Sequence, residues 1–166
     1  MKKCLIVLLC LLWLPGLSGC RDSDTPQNPV NFYYQSASLD YAAQNAVISP
    51  EIREGANYAT LEEALTDYLA GPESHSLNSP FPADLTVISI RQEENVLHIT
   101  LSDQLSQLQG LELTIACCCI AATCLDLTEA TDICIRAENL LLDDKPSITL
   151  NWENMRLLDQ TQQPKE

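Results

Sequence analysis

From about Leu108 to Leu127 the chain is dense in Leu, Ile, Ala and Cys, with little polar relief. A segment of that kind reads as a helix buried over much of its circumference, so the chain must build a core around it. Cys117, Cys118 and Cys119 stand side by side inside it, and Cys124 follows. On a helix, Cys117 and Cys124 share the face of Ile120 and Ala121, which suits packing by a small hydrophobe.

The opposite end of the sequence constrains location. Met1-Lys2-Lys3 precedes an apolar run from Cys4 to Leu14, and Pro15-Gly16-Leu17-Ser18-Gly19-Cys20 follows. A basic start, a short apolar stretch and small residues at a cleavage site make a secretory signal. The run is too short to span a bilayer, which takes about 20 apolar residues. Leu17-Ser18-Gly19-Cys20 resembles the bacterial lipobox, in which the cysteine thiol receives diacylglycerol before the Gly19–Cys20 bond is cut. That resemblance implies a lipoprotein, held through lipid on Cys20 to the extracytoplasmic face of the cell membrane. One acyl chain anchors only marginally, at about 0.8 kcal/mol per buried CH2, and the lipobox modification supplies at least two.

The sequence divides into a signal peptide at 1–19, a lipidated N-terminus with a polar tether at 20–29, one domain at 30–158 and a polar tail at 159–166. Residues 21–29 carry two prolines and no apolar residue, as a tether does. The first nineteen residues contain Lys2 and Lys3 and no acid, so their removal moves the formal net charge from -14 to -16. A balance this acidic excludes nucleic acid as a partner, because phosphate binding needs clustered Lys and Arg. It also argues against a second, electrostatic contact with anionic lipid.

Cys117, Cys118, Cys119, Cys124 and Cys134 remain in the mature domain. Bonding between adjacent cysteines is strained, and the run lacks C-x-x-C ligand spacing, with His75 and His98 far off in sequence. Core packing is the preferred reading, a disulfide such as Cys124–Cys134 the next, and metal the last. No cofactor is implied.

Local patterns give an α+β domain. Val30–Tyr34 reads as a strand, and Ala46 to Arg53 as its partner, placed at an edge by Pro50. Thr60-Leu61-Glu62-Glu63 is a capping box, and Leu61, Ala64, Leu65, Tyr68 and Leu69 then recur on one helical face until Gly71-Pro72 stops the helix. Glu73 to Ala83 reads as a loop. Leu85–Arg91 and Val96–Leu101 form an antiparallel hairpin across Gln92–Asn95, burying Leu97, Ile99 and Leu101 and turning His98 outward. Strands at Ile133–Ile135 and Ser147–Trp152 follow the apolar helix. The expected order is β-β-α-β-β-α-β-β, with both helices on one face of a small mixed sheet.

With those segments placed, the chain resembles the GerMN domain, the sporulation and spore-germination module of bacterial exported lipoproteins. The likeness rests on strand Val30–Tyr34, the helix ending Tyr68-Leu69-Ala70-Gly71-Pro72 and the loop Leu77-Asn78-Ser79-Pro80-Phe81-Pro82-Ala83. It continues through the hairpin Leu85–Leu101 with Ser102-Asp103, Thr123-Cys124-Leu125 and Ile133-Cys134-Ile135. Where the family often ends its penultimate strand in Val-Asp-Gly, this chain has Ala137-Glu138-Asn139. The resemblance implies a non-catalytic domain that binds a protein partner or self-associates in the cell envelope.

Two other function classes have less to draw on. A cell-wall or peptide hydrolase has only His75, His98 and the acid pairs Glu62-Glu63 and Asp143-Asp144, without a G-x-S-x-G elbow or an H-E-x-x-H helix. A small solute- or ion-binding lipoprotein fits the acidic charge, but no D-x-[DN]-x-[DN]-G calcium loop is present.

Overall fold

The computed structural model describes residues 29–38, 47–138 and 146–155. The signal segment with Gly19 and Cys20, residues 21–28, the Asp143-Asp144 pair and the tail 159–166 lie outside the described residues.

Among the described residues the order is β1 (Val30–Ser36), β2 (Ile48–Arg53), α1 (Leu61–Leu69), β3 (Leu77–Asn78), β4 (Val87–Glu93) and β5 (Val96–Leu101). A 3-10 turn (Asp103–Gln107), α2 (Gly110–Leu127), β6 (Asp132–Ala137) and β7 (Ile148–Leu150) complete it. The class and order are those expected, with the short β3 added inside the Glu73–Ala83 loop. The strands divide between two sheets, an antiparallel β2-β1-β3 and a mixed β4-β5-β6-β7 in which β5 and β6 run parallel.

The division has a local cause. β3 covers only Gln35 and Ser36 of β1, and further along that edge the Tyr33 amide meets α2 instead of a strand. The Tyr33 amide donates to the Thr123 hydroxyl at 2.9 Å, and the Asn31 side chain donates to Asp126 at 3.0 Å. Thr123 is fully buried, so its hydroxyl answers a backbone donor that would otherwise lack water or strand.

α2 packs on β1 of the first sheet and β6 of the second. Every residue from Ile115 to Leu125 is buried, about three turns covered on all sides. By length and composition this helix could cross a membrane, but its Ile115–Leu125 stretch is enclosed by the domain itself. The cysteines take part in this packing: all five are free thiols, and all are buried.

α1 forms as its sequence dictates. Thr60 Oγ1 accepts from the Glu63 amide at 3.2 Å, and the Glu63 carboxylate reaches back one residue beyond the cap, to the Ala59 amide at 2.9 Å. Ala64, Leu65 and Tyr68 are buried, and the Tyr68 ring packs on Phe32, Tyr34 and Phe81. The helix closes through Gly71, whose φ of 108° lies where an L side chain is strained. The hairpin turns at Glu94 and Asn95, and the Asn95 carbonyl accepts from the Thr131 and Asp132 amides, tying the turn to the start of β6. Leu97, Ile99 and Leu101 are buried and His98 is half-exposed, as the alternation requires.

Candidate functional site

Alternation along β2 puts Ser49, Glu51 and Arg53 on the face opposite Ile48, Pro50 and Ile52. Glu51 and Arg53 thereby meet β1's Phe32 and Val30 beneath α1, and each side chain is only 9% exposed. Two buried charges of this kind need partners, and both are supplied. Arg53 Nε donates to Glu51 Oε1 at 3.0 Å, one terminal nitrogen to Asp67, and the other to the Gly71 carbonyl at 3.0 Å. The guanidinium carbon lies 4.8 Å from the centre of the Phe32 ring. Burial works against the charge, but the Glu51 hydrogen bond, with Asp67 and Tyr58 adding, outweighs it and leaves Arg53 above its usual range. The second Glu51 oxygen accepts from the Glu73 and Ser74 amides at 2.9 and 2.8 Å, and Tyr58 donates to Asp67.

This network joins β2, α1 and the loop after α1. Tyr34 extends it by donating to the Tyr68 carbonyl at 2.8 Å, and Tyr68 donates to the Tyr33 carbonyl at 2.7 Å. Burial drives both phenols above their ordinary values. The carboxylates of Glu51 and Asp67 are thus engaged as acceptors that fasten the fold. Shallow grooves of about 520 and 560 Å3 lie along β2, the first lined by Ser36, Ser49, Ser74 and Ser76, the second by Glu54 and Tyr58. In the first, hydroxyls pair with one another, Ser36 with Ser49 at 2.9 Å and Ser74 with Ser76 at 2.8 Å.

Among the described residues, those considered for catalysis are not brought together. His75 lies in the turn before β3, while His98 is on β5 of the other sheet. His98 Nε2 is 3.4 Å from Glu93, which also pairs with Arg91 at 3.1 Å, and Cys134 stands opposite His98 in the parallel register. Glu63 is occupied in the helix cap, and Glu62 is exposed. Burial raises the Cys117, Cys118, Cys119 and Cys124 thiols, the reverse of what a thiolate nucleophile or ligand needs.

The outer face of the first sheet is different. Tyr33 stands opposite Pro50, with Ile52 two residues further along the same face. Trp152, from the turn after β7, sets its ring against Tyr33 at 6.0 Å in an edge-on contact. Ile52 is 61% exposed and Trp152 47%, so these side chains form an apolar strip on the surface. The Asn31 hydrogen bond holds the Asp126 carboxylate beside the strip, and burial, then that carboxylate, raise the Tyr33 phenol. Nothing in the local sequence joins Tyr33 to Trp152; only their position in the fold does.

No family sequence model matches the chain, and no curated protein does. Solved structures do. The first GerMN domain of the sporulation protein GerM from Bacillus subtilis aligns over 77% of this chain and 100% of its own length, at 13% identity and a TM-score of 0.60. The tandem GerMN domains of the same protein align over 72% of this chain and 42% of theirs, at 12% identity and a TM-score of 0.55. The chain has the fold of a GerMN domain.

Proposed function

We propose that this chain is a lipoprotein cut before Cys20 and held by lipid on the extracytoplasmic face of the cell membrane. Its GerMN-like domain is a non-catalytic binding or assembly module of the cell envelope, working in sporulation or germination. The observation that carries the reading is the fold, which spans the whole of a GerMN domain taken from a sporulation protein. Two features support it. The lipobox-like Leu17-Ser18-Gly19-Cys20 precedes the domain, and the inward charges of Glu51, Arg53 and Asp67 are committed to fastening β2 to α1.

Labelling with radioactive palmitate tests the anchor. The expected result is label on the native chain and none on Cys20→Ser, which stays as an unprocessed precursor; equal labelling of both rejects it. Cross-linking in intact envelopes and size measurement test the binding role, and finding neither partner nor oligomer rejects it. Peptidoglycan turnover by the purified domain, abolished by His75→Ala or His98→Ala, would replace this reading with the hydrolase.

A further inference from the structure

The strip on the outer face of the first sheet has a definite charge environment. Asp126 sits on Asn31, whose register partner is Ile52, and Glu153 directly follows Trp152 in the chain. The described cations are Arg53, Arg91 and Arg136. Arg53 points to the opposite face and is held by Glu51 and Asp67; Arg91 and Arg136 belong to β4 and β6 of the other sheet. Among the described residues the strip is therefore apolar in the middle, with acids and no cation at its rim.

That combination selects an occupant. Two copies meeting strip to strip would press like rims together, in a chain whose formal net charge is already -14. An anionic lipid surface is repelled in the same way. A separate protein that presents apolar side chains flanked by Lys or Arg satisfies both parts, and Tyr and Trp are the residue types that anchor such contacts. We infer that the strip of Tyr33, Pro50, Ile52 and Trp152 docks such a basic-rimmed protein partner. The inference rests on the binding role proposed above and names its surface.

The test places a photoreactive benzoylphenylalanine at Ile52, at Ile88 on β4 and at Leu111 on α2, each in the full-length chain in the cells that make it. These three positions are all exposed, so the replacement leaves the core intact. Expected is one adduct from Ile52, heavier than the monomer and different in mass from a dimer. Its linked peptide carries Lys or Arg close to an apolar residue. Trp152→Ala lowers the yield about tenfold, the scale of a hot-spot aromatic. Asp126→Asn with Glu153→Gln, which keeps the Asn31 contact, lowers it about threefold, as rim charges do. A dimer-mass adduct, a lipid adduct, a link to the chain's own residues 139–145 or 156–166, or insensitivity to both sets of variants overturns the inference. Adducts from Ile88 or Leu111 but not Ile52 reject this surface and leave the binding role standing. Silence at all three positions rejects both.

Discussion

The Tyr33 amide donates to the buried Thr123 hydroxyl at 2.9 Å, and through that bond a helix closes the edge of a β-strand. The Tyr68 phenol donates to the carbonyl of the same Tyr33 at 2.7 Å, so one residue of β1 holds both helices. Removing either hydroxyl strands a buried backbone group, which costs about 1–3 kcal/mol. Thr123→Val and Tyr68→Phe should each lower stability by that amount in urea unfolding. Because they share Tyr33, their effects should depart from additivity by about 0.5 kcal/mol or more.

Glu51→Ala should be among the most damaging polar substitutions in the domain. It leaves Arg53 buried with Asp67 as its remaining carboxylate, and it releases the Glu73 and Ser74 amides. Breaking a buried pair from one side costs about 3–5 kcal/mol. Asp67, half-exposed, offsets part of that, so about 2–4 kcal/mol is expected in chemical denaturation. Faster hydrogen exchange at the Ser74 amide should accompany it.

Two glycines with positive φ should respond differently to alanine. Gly71 has φ 108°, and a methyl group added there would meet the Ser79 Cβ at 3.6 Å, whereas Gly110 has φ 56° and open space around it. The left-handed helical region near 57° admits non-glycine residues at modest cost, while more extended positive φ is reserved for glycine. Gly110→Ala should cost about 1 kcal/mol and Gly71→Ala about 2 kcal/mol or more, read as shifts in thermal midpoint.

Alkaline pH should loosen the core through its thiols. Burial, with Cys118 adding, pushes the Cys117 thiol up from 9.0 to about 12. A folded-state pKa above the unfolded value means the stabilisation is complete below pH 9 and is lost as pH rises toward 12. Between pH 8 and pH 10.5 this group alone should account for about 1–2 kcal/mol of lost stability. Cys117→Ala should be somewhat less stable at pH 8 and should show a shallower decline above pH 9; an unchanged slope rejects the assignment.

Pro50 should act as a stop on the open edge of β2. The Tyr33 amide points away from β2, to Thr123, so the Tyr33–Pro50 pair lies where backbone groups face outward, and the proline removes a donor from the exposed edge. Pro50→Thr should restore that donor and increase edge-to-edge association at high concentration, measured by light scattering.

Much of this fold was legible because it is written locally. The capping box, the apolar face of α1, the alternation of the hairpin and the unrelieved apolarity of α2 each act within a few residues. β3 was not, since two residues carry no periodicity and Leu77–Asn78 become a strand only by meeting Gln35 and Ser36. The split into two sheets likewise depends on where Thr123 lands. Glu51 and Arg53 did carry a signal, two opposite charges on one face of a strand, but the sequence could not say that α1 would cover that face. The strip was hidden for the same reason: Tyr33 and Trp152 are neighbours only once β7 is in place.

The enclosure of α2 has a thermodynamic consequence. Ile115 to Leu125 offer no face that water would accept, and the helix packs on β1 and β6 alike. Neither sheet therefore owns a core that the other can spare. Melting one should strip the shared helix of half its cover and bring down the other, so the domain should unfold in a single concerted transition.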